Sequence, residues 1–76
     1  MNDSIKLFDV VALVIDLPDI GLCKGQVGTV VEMLDDGHAF EVEFSDANGR
    51  VYESLGLLSE QVMVLCFEPN QLKTAA

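Results

Sequence analysis

Positive charge is scarce in this chain. Lys6, Lys24, Arg50 and Lys73 stand against thirteen acidic residues, and the net charge is -9. A surface of that sign repels phosphate backbones, so no nucleic acid is expected as a partner, and anionic membranes are disfavoured on the same ground. Cysteine is as sparse: Cys23 and Cys66 are the only two, and there is no C-x-x-C pair. Together with the single histidine, His38, they match no zinc-ligand spacing, so no metal site is expected. A disulfide between them would need their Cα atoms within about 7 Å, which a small fold permits. Met1 to Lys6 lacks a basic stretch followed by an apolar core, and no apolar run approaches the roughly 20 residues that span a bilayer. The expected location is therefore the cytoplasm, with both thiols reduced.

Catalytic patterns are missing too. Ser4, Ser45, Ser54 and Ser59 have no evident base, because the only histidine sits in or beside a turn. A Cys23–His38 pair would need contact across loops that nothing in the spacing provides. The glycines from Gly21 to Gly28 do not form the G-x-x-x-x-G-K-[ST] pattern that cradles phosphates. The expectation is a protein that is not an enzyme and holds no cofactor.

What is present is a pattern of short strands. The 76 residues are half hydrophobic, which suits one globular domain rather than a disordered chain. Asp9 to Ile15 is rich in β-branched residues and reads as a first strand. Asp16 to Gly25 carries Pro18, Gly21 and Gly25 and reads as a long loop. Gln26 to Leu34 is a second strand, in which Gly28 marks a bend or a close backbone approach. Asp35-Asp36-Gly37 makes a hairpin turn. Ala39 to Ser45 alternates Phe40, Val42 and Phe44 with Glu41 and Glu43, one greasy face against one charged face. Asp46 to Gly49 is a second turn, Arg50 to Leu57 a fourth strand, Leu58 to Gln61 a single 3₁₀ turn, and Val62 to Phe67 a fifth strand. An open meander of this kind exposes two edges, and curling into a barrel reduces that liability. A four-stranded sheet covered by a helix is the rival, but no amphipathic helix is visible. The expected fold is thus all-β: a five-stranded SH3-like barrel over residues 8–67, with a long first loop and a 3₁₀ link before the last strand. Residues 1–7 and 68–76 are expected to be loose termini.

Lys24-Gly25-Gln26-Val27-Gly28-Thr29-Val30-Val31 resembles the K-G-x-x-G-x-V element of translation-type SH3-like barrels, including the KOW motif. In that element Gly25 ends the loop, Gly28 lets a bent strand cross its neighbour, and Val27 and Val30 point inward around the bend. A wider set is similar to a family of small bacterial proteins, domain of unknown function 4926. It comprises Asp9-Val10-Val11, Leu17-Pro18, Gly21-Leu22, Lys24-Gly25, Val27 to Val31, Asp36-Gly37, Phe40 to Phe44 and Asn48-Gly49, within Phe8 to Val64. The resemblance implies the barrel and a bacterial origin, and it carries no site or activity.

Function must then come from surfaces. KOW-type domains often bind RNA, but Phe8, Phe40, Phe44, Tyr52 and Phe67 fall mostly at core parity, not on a stacking platform. Glu41 and Glu43 project outward. A two-residue turn at Asp36-Gly37 places Glu32 opposite Glu41, whereas a three-residue turn shifts the register by one. Like charges directly opposite destabilise a sheet, which hints at a partner, although a solvated face is the commoner reason for acidic side chains. In the long loop, Leu17, Ile20 and Leu22 form either a sticky patch rimmed by Asp16 and Asp19 or a cap over one barrel end. Capping is favoured, because a domain of this size needs its apolar side chains inside. Glu53 falls at core parity if Phe44 pairs with Val51, and a rim position or a bulge is the ordinary outcome for such a residue. The candidate partner-binding residues are Asp16, Asp19, Ile20, Leu22, Glu32, Glu41 and Glu43. The expected function is a noncatalytic protein-interaction module, monomeric or weakly dimeric, that docks a basic partner, as an antitoxin or immunity protein would. The alternatives are a structural accessory subunit of a bacterial enzyme complex and, against the charge, a KOW-like RNA-binding domain.

Overall fold

The computed structural model describes residues 5–67. Five strands, β1 (Val10–Leu13), β2 (Val27–Leu34), β3 (Ala39–Ser45), β4 (Val51–Leu58) and β5 (Val62–Val64), form one antiparallel sheet in the order β4-β3-β2-β1-β5. Among the described residues there is no α-helix; three single 3₁₀ turns occupy Pro18–Ile20, Asp35–Gly37 and Ser59–Gln61. The fold is all-β. The third strand has the bounds expected from its alternation, and the others differ at their ends. The first strand ends at Leu13, although the Val14 amide still donates to the Gln61 carbonyl at 3.0 Å. The fifth is confined to Val62–Val64, so Leu65 to Phe67 lie beyond it. Residues 68–76 are outside the described segment.

One face of the sheet carries the core. Val11, Leu13, Val30, Phe40, Val42, Phe44, Leu57 and Val62 are buried there with Leu22 from the long loop. Each such aliphatic or aromatic side chain contributes about 1.5–3 kcal/mol relative to exposure. The residues come from all five strands, including β4 and β5 at the two ends of the sheet. Contacts tie Ile5, Lys6 and Phe8 to the rest of the fold. Ile5 packs against the core, the Lys6 amide donates to Asp9 Oδ2 at 2.8 Å, and the Phe8 amide donates to the Val30 carbonyl at 2.7 Å.

Gly28 is a close-approach position. A Cβ there would lie 2.6 Å from Val42 Cγ1 and 2.8 Å from the Glu43 carbonyl oxygen, so β2 presses against β3 where only glycine fits. Val30 points inward as expected, but Val27 does not. It pairs with Ala12, which faces away from the core because its neighbours Val11 and Leu13 face in.

Two bulges set the registers. Between β2 and β3, Met33 faces Phe40 and Glu32 faces Glu41, yet Val30 faces Val42. Val31 is the extra residue. Both registers considered from the sequence therefore occur, one on each side of it. Between β3 and β4, Phe40 faces Leu57, Val42 faces Leu55 and Phe44 faces Glu53, two residues from the pairing expected from a four-residue loop. The ladder then shifts, so that Val51 faces Ser45 and Tyr52 is the extra residue. Val51 is consequently on the outer face and exposed.

Candidate interaction surface

The acidic surface lies on the outer face of β2, β3 and β4. Along one row of the sheet Glu32, Glu41 and Gly56 stand side by side; along the next, Thr29, Glu43 and Ser54 do. No cation occupies a cross-strand position beside Glu41 or Glu43. The Ser54 hydroxyl donates to Glu41 Oε2 at 2.7 Å, which holds that carboxylate in one direction. Glu41 and Glu43 are half-buried and Glu32 is exposed. The like-charge pair Glu32–Glu41 opposes folding by a few tenths of a kcal/mol.

The outer face of β2, β1 and β5 differs in character. Val27, Ala12 and Met63 form one row across these strands. Val27 and Met63 are exposed while Ala12 is covered between them. The outer side of the sheet is thus divided into an acidic half and an apolar half.

The long loop is mainly a cap. Leu22 is 3% exposed and belongs to the core, Leu17 packs against it, and the two are joined by mutual backbone hydrogen bonds of 2.8 and 3.1 Å. Leu22 therefore presents no surface to a partner, which corrects its place among the candidates. Ile20, on the 3₁₀ turn, remains exposed beside the exposed Asp19. Asp16 is engaged locally, since its Oδ1 accepts from the Lys24 amide at 2.8 Å. Asp16, Asp19 and Ile20 lie on the loop and Glu32, Glu41 and Glu43 on the sheet. Gln26 ties this loop to the β4 bulge: its Oε1 accepts from the Cys23 amide and its Nε2 donates to the Tyr52 hydroxyl at 2.8 Å.

Glu53 has core parity, opposite Phe44, but stands on the outermost strand and is half-buried. Of the five aromatic residues only Phe40 and Phe44 are in the core. Phe8 is 70% and Phe67 71% exposed, and Tyr52 leans on the Phe44 ring with centroids 6.5 Å apart. The expected core parity holds for Phe40 and Phe44, whereas Phe8, at φ 71 ahead of β1, and Phe67, beyond β5, lie outside the strands. Cys23 and Cys66 are both free and exposed. No group of three or more metal-ligating side chains occurs among the described residues. None of the described helical turns is long or apolar enough to cross a membrane.

These features describe a small all-β protein built on one antiparallel sheet, with a divided outer face. The profile of the family described as Domain of unknown function (DUF4926) matches residues 7–64, and the chain belongs to that family. No curated protein and no solved structure matches the chain.

Proposed function

We propose that this protein is a noncatalytic interaction module that binds a basic protein through the acidic outer face of β2, β3 and β4. An antitoxin or an immunity protein of the cytoplasm is one form this takes. The observation that carries the reading is the Glu32–Glu41 pairing with Glu43 alongside. The pairing leaves a repulsion in the isolated chain, and a cationic partner turns it into attraction. The scaffold fits the half-open barrel of SH3-like domains. Five flat strands would separate β4 from β5 by about 19 Å, at about 4.8 Å per interval. The four steps from Leu58 to Val62 reach at most about 15 Å, at 3.8 Å per Cα–Cα step, and pass through a 3₁₀ turn, so curvature is favoured.

A second reading has its own support. The apolar half of the outer face, Val27, Ala12 and Met63, suits a flat, salt-tolerant contact in a larger assembly, with the domain as an accessory subunit.

One experiment separates them. The immobilised protein is exposed to lysate and eluted with a ladder of salt, in parallel with an E32Q/E41Q/E43Q variant. A stoichiometric basic protein released at moderate salt from the parent and absent from the variant is expected. Equal capture by both overturns the acidic-face reading. A partner that resists salt and is lost with Met63→Glu assigns the protein to the accessory role.

A further inference from the structure

β4 ends the sheet, with β3 on one side and no strand on the other among the described residues. Exposed edges are ordinarily blunted by brevity, lysine, proline, a bulge or an inward-pointing charge. This one runs for eight residues, Val51–Leu58, with neither lysine nor proline. The bulge at Tyr52 and the core-parity Glu53 guard its first half, and from Ser54 onward the ladder is regular and carries no such device. The Leu58 amide donates to Gln61 Oε1 at 2.8 Å rather than to β3. Alternate residues of an antiparallel strand aim their backbone groups the same way, so Ser54 and Gly56 turn theirs to the open edge.

Gly56 adds an independent observation. A Cβ there would meet only Leu34 Cδ1 at 3.7 Å and Glu41 Oε1 at 4.0 Å, both ordinary contacts, and its φ is not left-handed. Neither packing nor conformation in the isolated chain calls for glycine. A glycine inside a strand often marks the close approach of another backbone or a ligand. Here its bare backbone opens a path across the outer face from the edge to Glu41, whose other oxygen is already held by Ser54. Glu32 stands directly beyond Glu41 in the same row, and Glu43 is in the next.

We propose that the free edge of β4 receives an extended, cationic segment of a partner protein as a sixth strand, with a lysine or arginine laid over Gly56 onto Glu41. The inference rests on the interaction-module reading and adds to it the mode of docking and the chemistry of the partner. A second copy of this chain is the poorer occupant, since its own β4 brings Glu53 and no cation to the edge and its net charge is also -9.

The test uses the full chain, labelled with ¹⁵N, and a blocked ten-residue peptide alternating arginine with valine, at low salt. Saturable binding is expected, with slowed amide exchange at Ser54 and Gly56. Affinity should fall at least tenfold in E41Q and in G56V. Valine suits a strand and its Cβ has room at this position, so G56V is expected to stay folded. Binding should vanish when alternate backbone nitrogens on the pairing edge of the peptide are methylated. Equal binding of parent and methylated peptides overturns strand addition while leaving the acidic-face reading standing. Absence of binding by either peptide removes both. Protection of the Ser54 and Gly56 amides that grows with protein concentration, without peptide, assigns the edge to a second copy and overturns the proposal. Should G56V fail to fold, the comparison of parent and methylated peptides on the unaltered chain decides.

Discussion

Gly28 and Gly56 are both strand glycines facing β3, yet alanine should have opposite effects at the two. At Gly28 the new methyl would sit 2.6 Å from Val42 Cγ1, 2.8 Å from the Glu43 carbonyl oxygen and 3.1 Å from Phe44 Cδ2. Val42 and Phe44 are fully buried and cannot swing away, and the Glu43 oxygen belongs to the β3 backbone. Overpacking of this kind costs about 1–3 kcal/mol. Restricting the unfolded chain returns about 0.4–1 kcal/mol, so Gly28→Ala should lose up to about 2.6 kcal/mol net, combining those ranges. Gly56→Ala meets no such obstacle and should gain about 0.4–1 kcal/mol. Urea unfolding followed by circular dichroism reads both. With a slope of about 1 kcal/mol per molar for a chain this small, the midpoint falls by up to about 2.6 M at Gly28 and rises by about 0.4–1 M at Gly56. A Gly28→Ala midpoint at or above the parent value, with unchanged slope, would refute the close approach. A Gly56→Ala loss as large as that at Gly28 would show that the open path over Gly56 is filled.

Three further outcomes are expected. Leu22→Ala should cost about 2–5 kcal/mol as a core truncation, while Ile20→Ala two residues away stays within about 0.5 kcal/mol; comparable losses in thermal melts would mean that the whole loop is packed. Phe8 holds a left-handed backbone at φ 71 with little burial to compensate, so Phe8→Gly should stabilise by about 1 kcal/mol, and a loss in urea titration would mean that the ring is anchored. Glu32→Gln should raise stability by a few tenths of a kcal/mol at low salt, and the gain should shrink in 1 M salt, where screening acts over about 3 Å; a salt-independent effect would point away from charge.

The strands, their order along the chain and the glycine turns were legible because alternation and turn chemistry are local. Phe40, Val42 and Phe44 announced their buried face, and Gly28 its close contact. Register was not legible. The bulges at Val31 and Tyr52 involve residues that look like any other strand residue, and each is chosen by what lies on both sides of it. Val31 lets Glu32 stay outside while Val30 goes in; Tyr52 is held by Gln26, a residue far along the sequence. The same long-range logic moved Val27 to the outside, where Ala12 fixes its side. At the candidate surface, Glu41 and Glu43 were readable from parity, whereas the side of Glu32 waited on the bulge at Val31. The edge beside Gly56 was not, because which strand lies outermost is decided by β5 pairing with β1.

That pairing also bears on how the chain acquires its structure. β1 is made early and has strands on both flanks, but one flank waits for the three residues of β5 near the far end of the described segment. The meander from β2 to β4 is joined by short turns and pays little loop-closure entropy, whereas the β1–β5 clasp must bring together strands from opposite ends of the described segment. During synthesis at about 5–20 residues per second, β1 therefore spends seconds with an unsatisfied flank. Substitutions at Val62 should act chiefly on the rate of unfolding, and those in the β2–β3 hairpin on the rate of folding.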